Sequence, residues 1–223
     1  MRNCVVFLLL SVTALAHGQI RVINSGWPGR NTAQIEEHLE HELVAVKPDF
    51  VVILAGGNDA LNEKAFLPPA QTQQSLTKMV QRAEKSGAQV IMVTVHDPDL
   101  ARLMTRHTPE SYGSISPLER QAQVNRIVQQ VARENHATLV PFNQVLRDAG
   151  GANAELSTDG VHLTARGYGL LAGAVRSALP KSLPANTTIL CLGDSLTYGI
   201  GVRVQDTPET PDTYPSQLRA LLR

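Results

Sequence analysis

The chain has 223 residues, with 20 basic and 20 acidic side chains and a formal net charge of zero. That balance gives no electrostatic reason to expect a nucleic-acid partner or an anionic membrane surface. Some 200 residues remain once an apparent targeting segment is set aside, enough for one domain with a full core.

The first 16 residues read as a signal peptide. Arg2 supplies a positive start, Cys4 to Val12 is mostly apolar, and ALA at 14–16 offers small residues for cleavage. The same CVVFLLL run also suits a buried first strand. It is too short to cross a bilayer comfortably and no other stretch reaches the required length, so no stable membrane insertion is expected. A secreted or periplasmic destination follows. Loss of the leader removes Cys4 and leaves only Cys191, which excludes an intrachain disulfide. Cys191 lies in an apolar run and reads as a small core residue.

Strand-like runs then alternate with helix-length segments through a single domain, 20–223. The strands are expected at 21–24, 50–55, 89–95, 138–142 and 188–192. Their near-continuous apolar character fits a parallel sheet covered on both faces. Ile35, Leu39 and Leu43 recur at helical spacing, as do Leu76, Met79, Val80 and Ala83. Gly87 is placed to end the second of these helices. Ser116-Pro117, with Glu119 following, predicts a capped helix carrying Val124, Ile127, Val128 and Val131. Thr164 is placed to cap a helix with Leu171, Val175 and Leu179, and a last helix begins near Thr213. The fold class is α/β: a three-layer α/β/α sandwich with a mainly parallel five-stranded sheet. Residues 180–188 form a short connector, and 96–115 is either an active-site loop or a surface excursion.

Four turns carry residues suited to nucleophilic chemistry. GDSL places Ser195 just after a strand, at the carboxyl edge of the sheet where open α/β folds form crevices. Its hydroxyl needs a base to act, and a turn or cap role is the alternative. In DGVH, Asp159 and His162 are three apart. A tight turn lets the carboxylate orient one ring nitrogen while the other faces the reaction, and an Asx-turn beside an ordinary surface histidine is the alternative. Gly29 in NSGWPG offers an unobstructed backbone N–H, and Asn58 in GGND offers a side-chain amide, both suited to a developing oxyanion. Asp194, beside the serine, is better placed as a local hydrogen-bond acceptor than as the orienting acid.

Together these blocks resemble the SGNH, or GDSL, hydrolase family, over nearly all of residues 20–223. The resemblance implies ester hydrolysis through an acyl-enzyme, with Ser195, His162 and Asp159 as catalytic triad. It also implies an oxyanion hole formed by the Ser195 and Gly29 N–H groups and the Asn58 amide, with no cofactor or metal. The substrate classes it allows are short acyl esters, lysophospholipids, thioesters and acetylated sugars. The block order departs from the family pattern, because the serine block comes last. Moving 188–223 ahead of 21–187 restores the usual order, including Tyr214-Pro215 after the serine. The chain therefore resembles a circularly permuted monomer. The alternatives are a truncated tandem repeat active only as an exchanged oligomer, and a noncatalytic carbohydrate-binding module. Trp27, Tyr198 and Arg30 are candidates to line the substrate site, against structural, packing and solvated-charge roles respectively. His96, Asp97 and His107 share a loop but lack a complete metal-ligand motif.

Overall fold

The computed structural model describes residues 19–204 and 210–223. The expected leader, 1–16, lies outside them. Five strands, β1 (Arg21–Gly26), β2 (Phe50–Leu54), β3 (Gln89–Val93), β4 (Thr138–Val140) and β5 (Thr188–Gly193), form one sheet in the order β1-β5-β2-β3-β4. Every pairing is parallel. β4 stops short of the predicted 138–142: Pro141 has no N–H to donate to a ladder, and Phe142 opens a helix instead.

Alternation along the strands separates two cores. Val51, Ile53, Val90, Met92, Leu190 and Leu192 face one side. There they meet α1 (Thr32–Val46), α3 (Pro69–Lys85) and α5 (Pro117–Glu134). Val52, Leu54, Ile91, Val93, Ile189 and Cys191 face the other, against α6 (Phe142–Asp148), α7 (Ala165–Ala178) and α9 (Tyr214–Leu221). The helix starts have local causes. Asn31 and Gln34 form a reciprocal capping box for α1, Ser116 accepts from the Glu119 N–H at α5, and Thr164 accepts from Gly167 at α7. α3 is capped by Ser86, and Gly87 follows with φ +94°.

β5 is last in sequence yet lies inside the sheet, buried along its whole length. The 180–188 connector delivers it. Asp49, just before β2, receives the Thr188 N–H on its carboxylate at 2.7 Å and donates its own N–H to the Thr188 carbonyl at 2.9 Å. These bonds fix β5 in register beside β2. Among the described residues no helix is long and apolar enough to cross a membrane.

Leu190 contacts the core from this interior strand and is fully buried. Leu190→Ala should lower unfolding free energy by about 2–5 kcal/mol in urea titrations, with the slope unchanged.

Candidate active site

The carboxyl edge of β5 leads straight into the serine turn. A Cβ on Gly193 would stand 2.1 Å from the Leu54 carbonyl oxygen and 2.4 Å from Thr197 Oγ1. Only glycine lets β5 pair with β2 and then turn this sharply. Asp194 accepts the Leu196 N–H at 2.9 Å and caps the short helix α8 (Ser195–Tyr198). Ser195 is its first residue, so the Ser195 N–H has no intrahelical acceptor.

A tight turn brings the imidazole to that hydroxyl. Ser157 Oγ donates to the His162 carbonyl and accepts from the Gly160 N–H, both at 2.8 Å. Asp159 Oδ1 accepts the N–H groups of Val161 and His162 at 2.9 and 2.7 Å, leaving Oδ2 to meet His162 Nδ1 at 2.7 Å. His162 Nε2 lies 3.0 Å from Ser195 Oγ. Partial burial opposes ionisation of Asp159, but the hydrogen bonds from the His162 ring and from the backbone outweigh it and hold the carboxyl well below its ordinary range. An ionised carboxylate can only accept, which assigns the imidazole proton to Nδ1 and leaves Nε2 to receive the serine hydroxyl proton.

Two further turns flank the serine. Gly29, at φ +75°, follows β1 and lines the cavity above Ser195. Asn58 lies in α2 (Gly57–Leu61), after β2, and lines the same cavity. Its amide already donates to the Arg30 carbonyl at 3.0 Å and, at a long 3.4 Å, to Asp194 Oδ2, while its oxygen accepts from Asn62. The Asp194 contact is the weaker of the two and the one an oxyanion can displace. Asp59, the next residue, carries no motif signal in the sequence. It is buried and accepts from the Thr32 N–H at 3.0 Å, from Thr32 Oγ1 at 2.5 Å and from Thr72 Oγ1 at 2.9 Å. It thereby ties the Gly29 loop to the Asn58 turn.

The cavity encloses about 360 Å³, walled largely by apolar groups such as Leu61, Val95, Leu103, Val161 and Ile200. Trp27, Arg30 and Tyr198, the expected lining residues, are not part of its wall. Trp27 stacks on His38 at 4.1 Å with its indole N–H on Ser25 Oγ, and Arg30 is exposed. Tyr198 lies under the Arg203 guanidinium, 4.1 Å from its ring centre. Their places in the lining are taken by the 96–115 loop, through His96, Pro98, Leu103, Arg106 and His107. That loop contains α4 (Leu100–Leu103) and a 3₁₀ turn at Pro109–Tyr112. Its three metal-suggestive residues have separate roles. His96 packs edge-on to Phe142, His107 pairs with Glu63, and Asp97 pairs with Arg147. Burial pushes the His96 imidazole down to about 4, so it stays neutral.

A profile of the GDSL-like Lipase/Acylhydrolase family matches residues 10–170. The chain belongs to that family. The matched span holds Gly29, Asn58, Asp159 and His162 and stops before Ser195. Among relatives of this GDSL-like protein, Esterase TesA of Pseudomonas aeruginosa is 34% identical over 142 residues, covering 64% of this chain and 61% of the relative. Acetylxylan esterase of Geobacillus stearothermophilus is 27% identical over 175 residues, 70% of each chain. The match thus spans less than two thirds of the TesA chain's own length. A GDSL-like lipase structure from Bacteroides thetaiotaomicron shares the fold, with a TM-score of 0.57 at 21% identity over 70% of this chain and 73% of that one.

One acid in this GDSL-like site has a pH signature. Burial pushes the Asp194 carboxyl up to about 6, against the pull of the Leu196 N–H. A raised carboxyl stabilises the fold fully below the ordinary value of 3.8, and that contribution is lost as pH rises through about 6. The loss amounts to about 3 kcal/mol. Asp194→Asn should remove this dependence. The stability of wild type minus that of D194N, from denaturant titrations at several pH values, should fall by about that amount between roughly pH 4 and pH 7.

Proposed function

We propose that this protein is a carboxylic ester hydrolase working through a Ser195 acyl-enzyme. One observation carries the reading: Ser195 Oγ, His162 Nε2, His162 Nδ1 and Asp159 Oδ2 form a continuous chain of contacts at 3.0 and 2.7 Å within one polypeptide. His162 takes the hydroxyl proton as Ser195 attacks the ester carbonyl, then returns it to the departing alcohol. In the second half it takes a proton from water as the water oxygen bonds to the acyl carbon, then gives that proton to Ser195 Oγ as the acyl–oxygen bond breaks and the acid leaves. Asp159 orients the ring and stabilises its protonated form. The N–H groups of Ser195 and Gly29 and the Asn58 amide receive the charge of both tetrahedral intermediates. Gly29 fits this role because its φ is one that glycine adopts without strain.

The same reading makes the chain a circular permutant. If β5 is counted first, the sheet order β1-β5-β2-β3-β4 becomes 2-1-3-4-5, a common doubly wound order whose ligand crevice opens between strands 1 and 3. Ser195 and Asn58 flank that position. The family match that ends before Ser195 supports it too. The direct Ser195–His162 contact favours a self-sufficient monomer over an exchanged oligomer. An apolar cavity of this size suits a small acyl group, and the esterase relatives support an ester substrate. Residues 20–223 act as one domain, and the leader directs it to the periplasm or outside the cell.

Hydrolysis of short-chain nitrophenyl esters tests the chemistry. Ser195→Ala and His162→Ala should each lower kcat at least about 10³-fold with folding intact. Ligand binding with no Ser195-dependent turnover would instead indicate a noncatalytic binding module. Gly29→Ala should lower kcat more than it raises KM, because a side chain strains the φ +75° backbone that presents the N–H. Equal effects on both constants would remove Gly29 from the oxyanion site.

A further inference from the structure

The loop after β3 supplies charges that none of the four motif blocks accounts for. Arg102 anchors its start: it pairs with Asp99 at 3.0 Å, donates to the Ser157 carbonyl at 2.8 Å and also binds the Ala152 carbonyl. The Asp99 N–H reaches the Gly160 carbonyl at 2.9 Å. The loop is thereby held against the turn that carries Asp159. Arg106 then contacts that acid twice, Nη1 to Oδ2 at 2.5 Å and Nη2 to the main-chain oxygen at 3.3 Å. The next residue, His107, ties the loop to the segment after α2 through Glu63 Oε2 at 2.5 Å. Arg106 and His107 both line the cavity.

Asp159 Oδ2 is therefore shared between His162 Nδ1 and the Arg106 guanidinium, while Oδ1 is held by two backbone N–H groups. We propose that Arg106 is a positioning residue for the Ser–His–Asp chain, fixing the outer side of the Asp159 carboxylate so that Oδ2 stays aimed at His162. This rests on the esterase reading above. Two effects of the guanidinium oppose each other. Its charge disfavours a protonated imidazole nearby, but the side chain is 38% exposed and neutralised by Asp159, so that repulsion is screened. Its two-point contact, one nitrogen on Oδ2 and the other on the main-chain oxygen of the same residue, ties the partly exposed carboxylate to its own backbone and limits a torsion that is otherwise broad. Orientation therefore prevails, and removal of the side chain slows the reaction.

The test uses the full chain with Arg106→Met, Arg106→Lys and Arg106→Ala in the nitrophenyl ester assay. R106M should lower kcat roughly tenfold with KM within about twofold. R106K should recover part of this, since an ammonium reaches Oδ2 but cannot make the paired contact. Millimolar guanidinium should restore turnover in R106A, while sodium and urea should not; a merely structural role predicts no such rescue. Nitrogen-edited NMR supplies a readout independent of turnover: the His162 Nδ1–H signal, assigned by its loss in H162A, should broaden through solvent exchange in R106M. An unchanged signal overturns the proposal whatever the kinetics. So does an R106M kcat within twofold of wild type while S195A is inactive. A wild type lacking Ser195-dependent turnover defeats the esterase reading, and the NMR comparison then still decides the contact.

Discussion

The pairing of β5 with β1 on one side and β2 on the other is the constraint from which the site follows. In that register Gly193 stands opposite both Gly26 and Leu54, so three chains leave the sheet at one level and at one edge. The serine turn leaves from β5, the Gly29 loop from β1 and the Asn58 turn from β2. Their convergence needs no long-range reach, only that the strands be parallel and adjacent. The imidazole arrives separately, on a turn closed by Ser157 and held against the start of α7.

Three carboxyl groups surround this edge, and the balance between burial and hydrogen-bond donors sets them apart. Asp159 is only partly buried and receives donors on both oxygens, so its charged form prevails. Asp194 is fully enclosed with one good donor, and its carboxyl is raised. Asp59 is raised as well, although Thr32 and Thr72 supply three donors, because its burial is the larger effect. One residue type thus serves as an ionised partner of His162, a helix cap and a buried tie between loops. Environment, not identity, makes the difference.

The elements were legible where local chemistry decides them. Apolar strands, the Ser116-Pro117 and Thr164 helix starts and the Gly87 stop depend on neighbours in sequence. The contact between Asp159 and His162 was equally legible, because a spacing of three residues in a tight turn brings the carboxylate within reach of the ring. What the sequence hid was the cavity wall. For Trp27 the sequence leaves a lining and a structural role equally open, and the stacking partner that decides for the structural one, His38 in α1, lies 11 residues away. Arg106 and Asp59 carry no local signal either. Each gains its meaning from groups 53 and 13 or more residues away, and nothing in the local pattern marks those contacts. β4 is shorter than its apolar run because Pro141 within that run has no N–H for the ladder.

The late position of β5 also shapes how the chain emerges during synthesis. β1 and β2 are made long before the strand that must lie between them, and in the finished sheet they stand about 10 Å apart, one strand width on either side of β5. Until residue 193 has left the ribosome, both present an unpaired inner edge. If they zip directly to each other, that pairing must come undone before β5 can insert. Vectorial growth from the N-terminus therefore cannot complete this sheet stepwise. Its centre closes as a late, non-local event, exposed in the meantime to strand capture by chaperones or by other nascent chains.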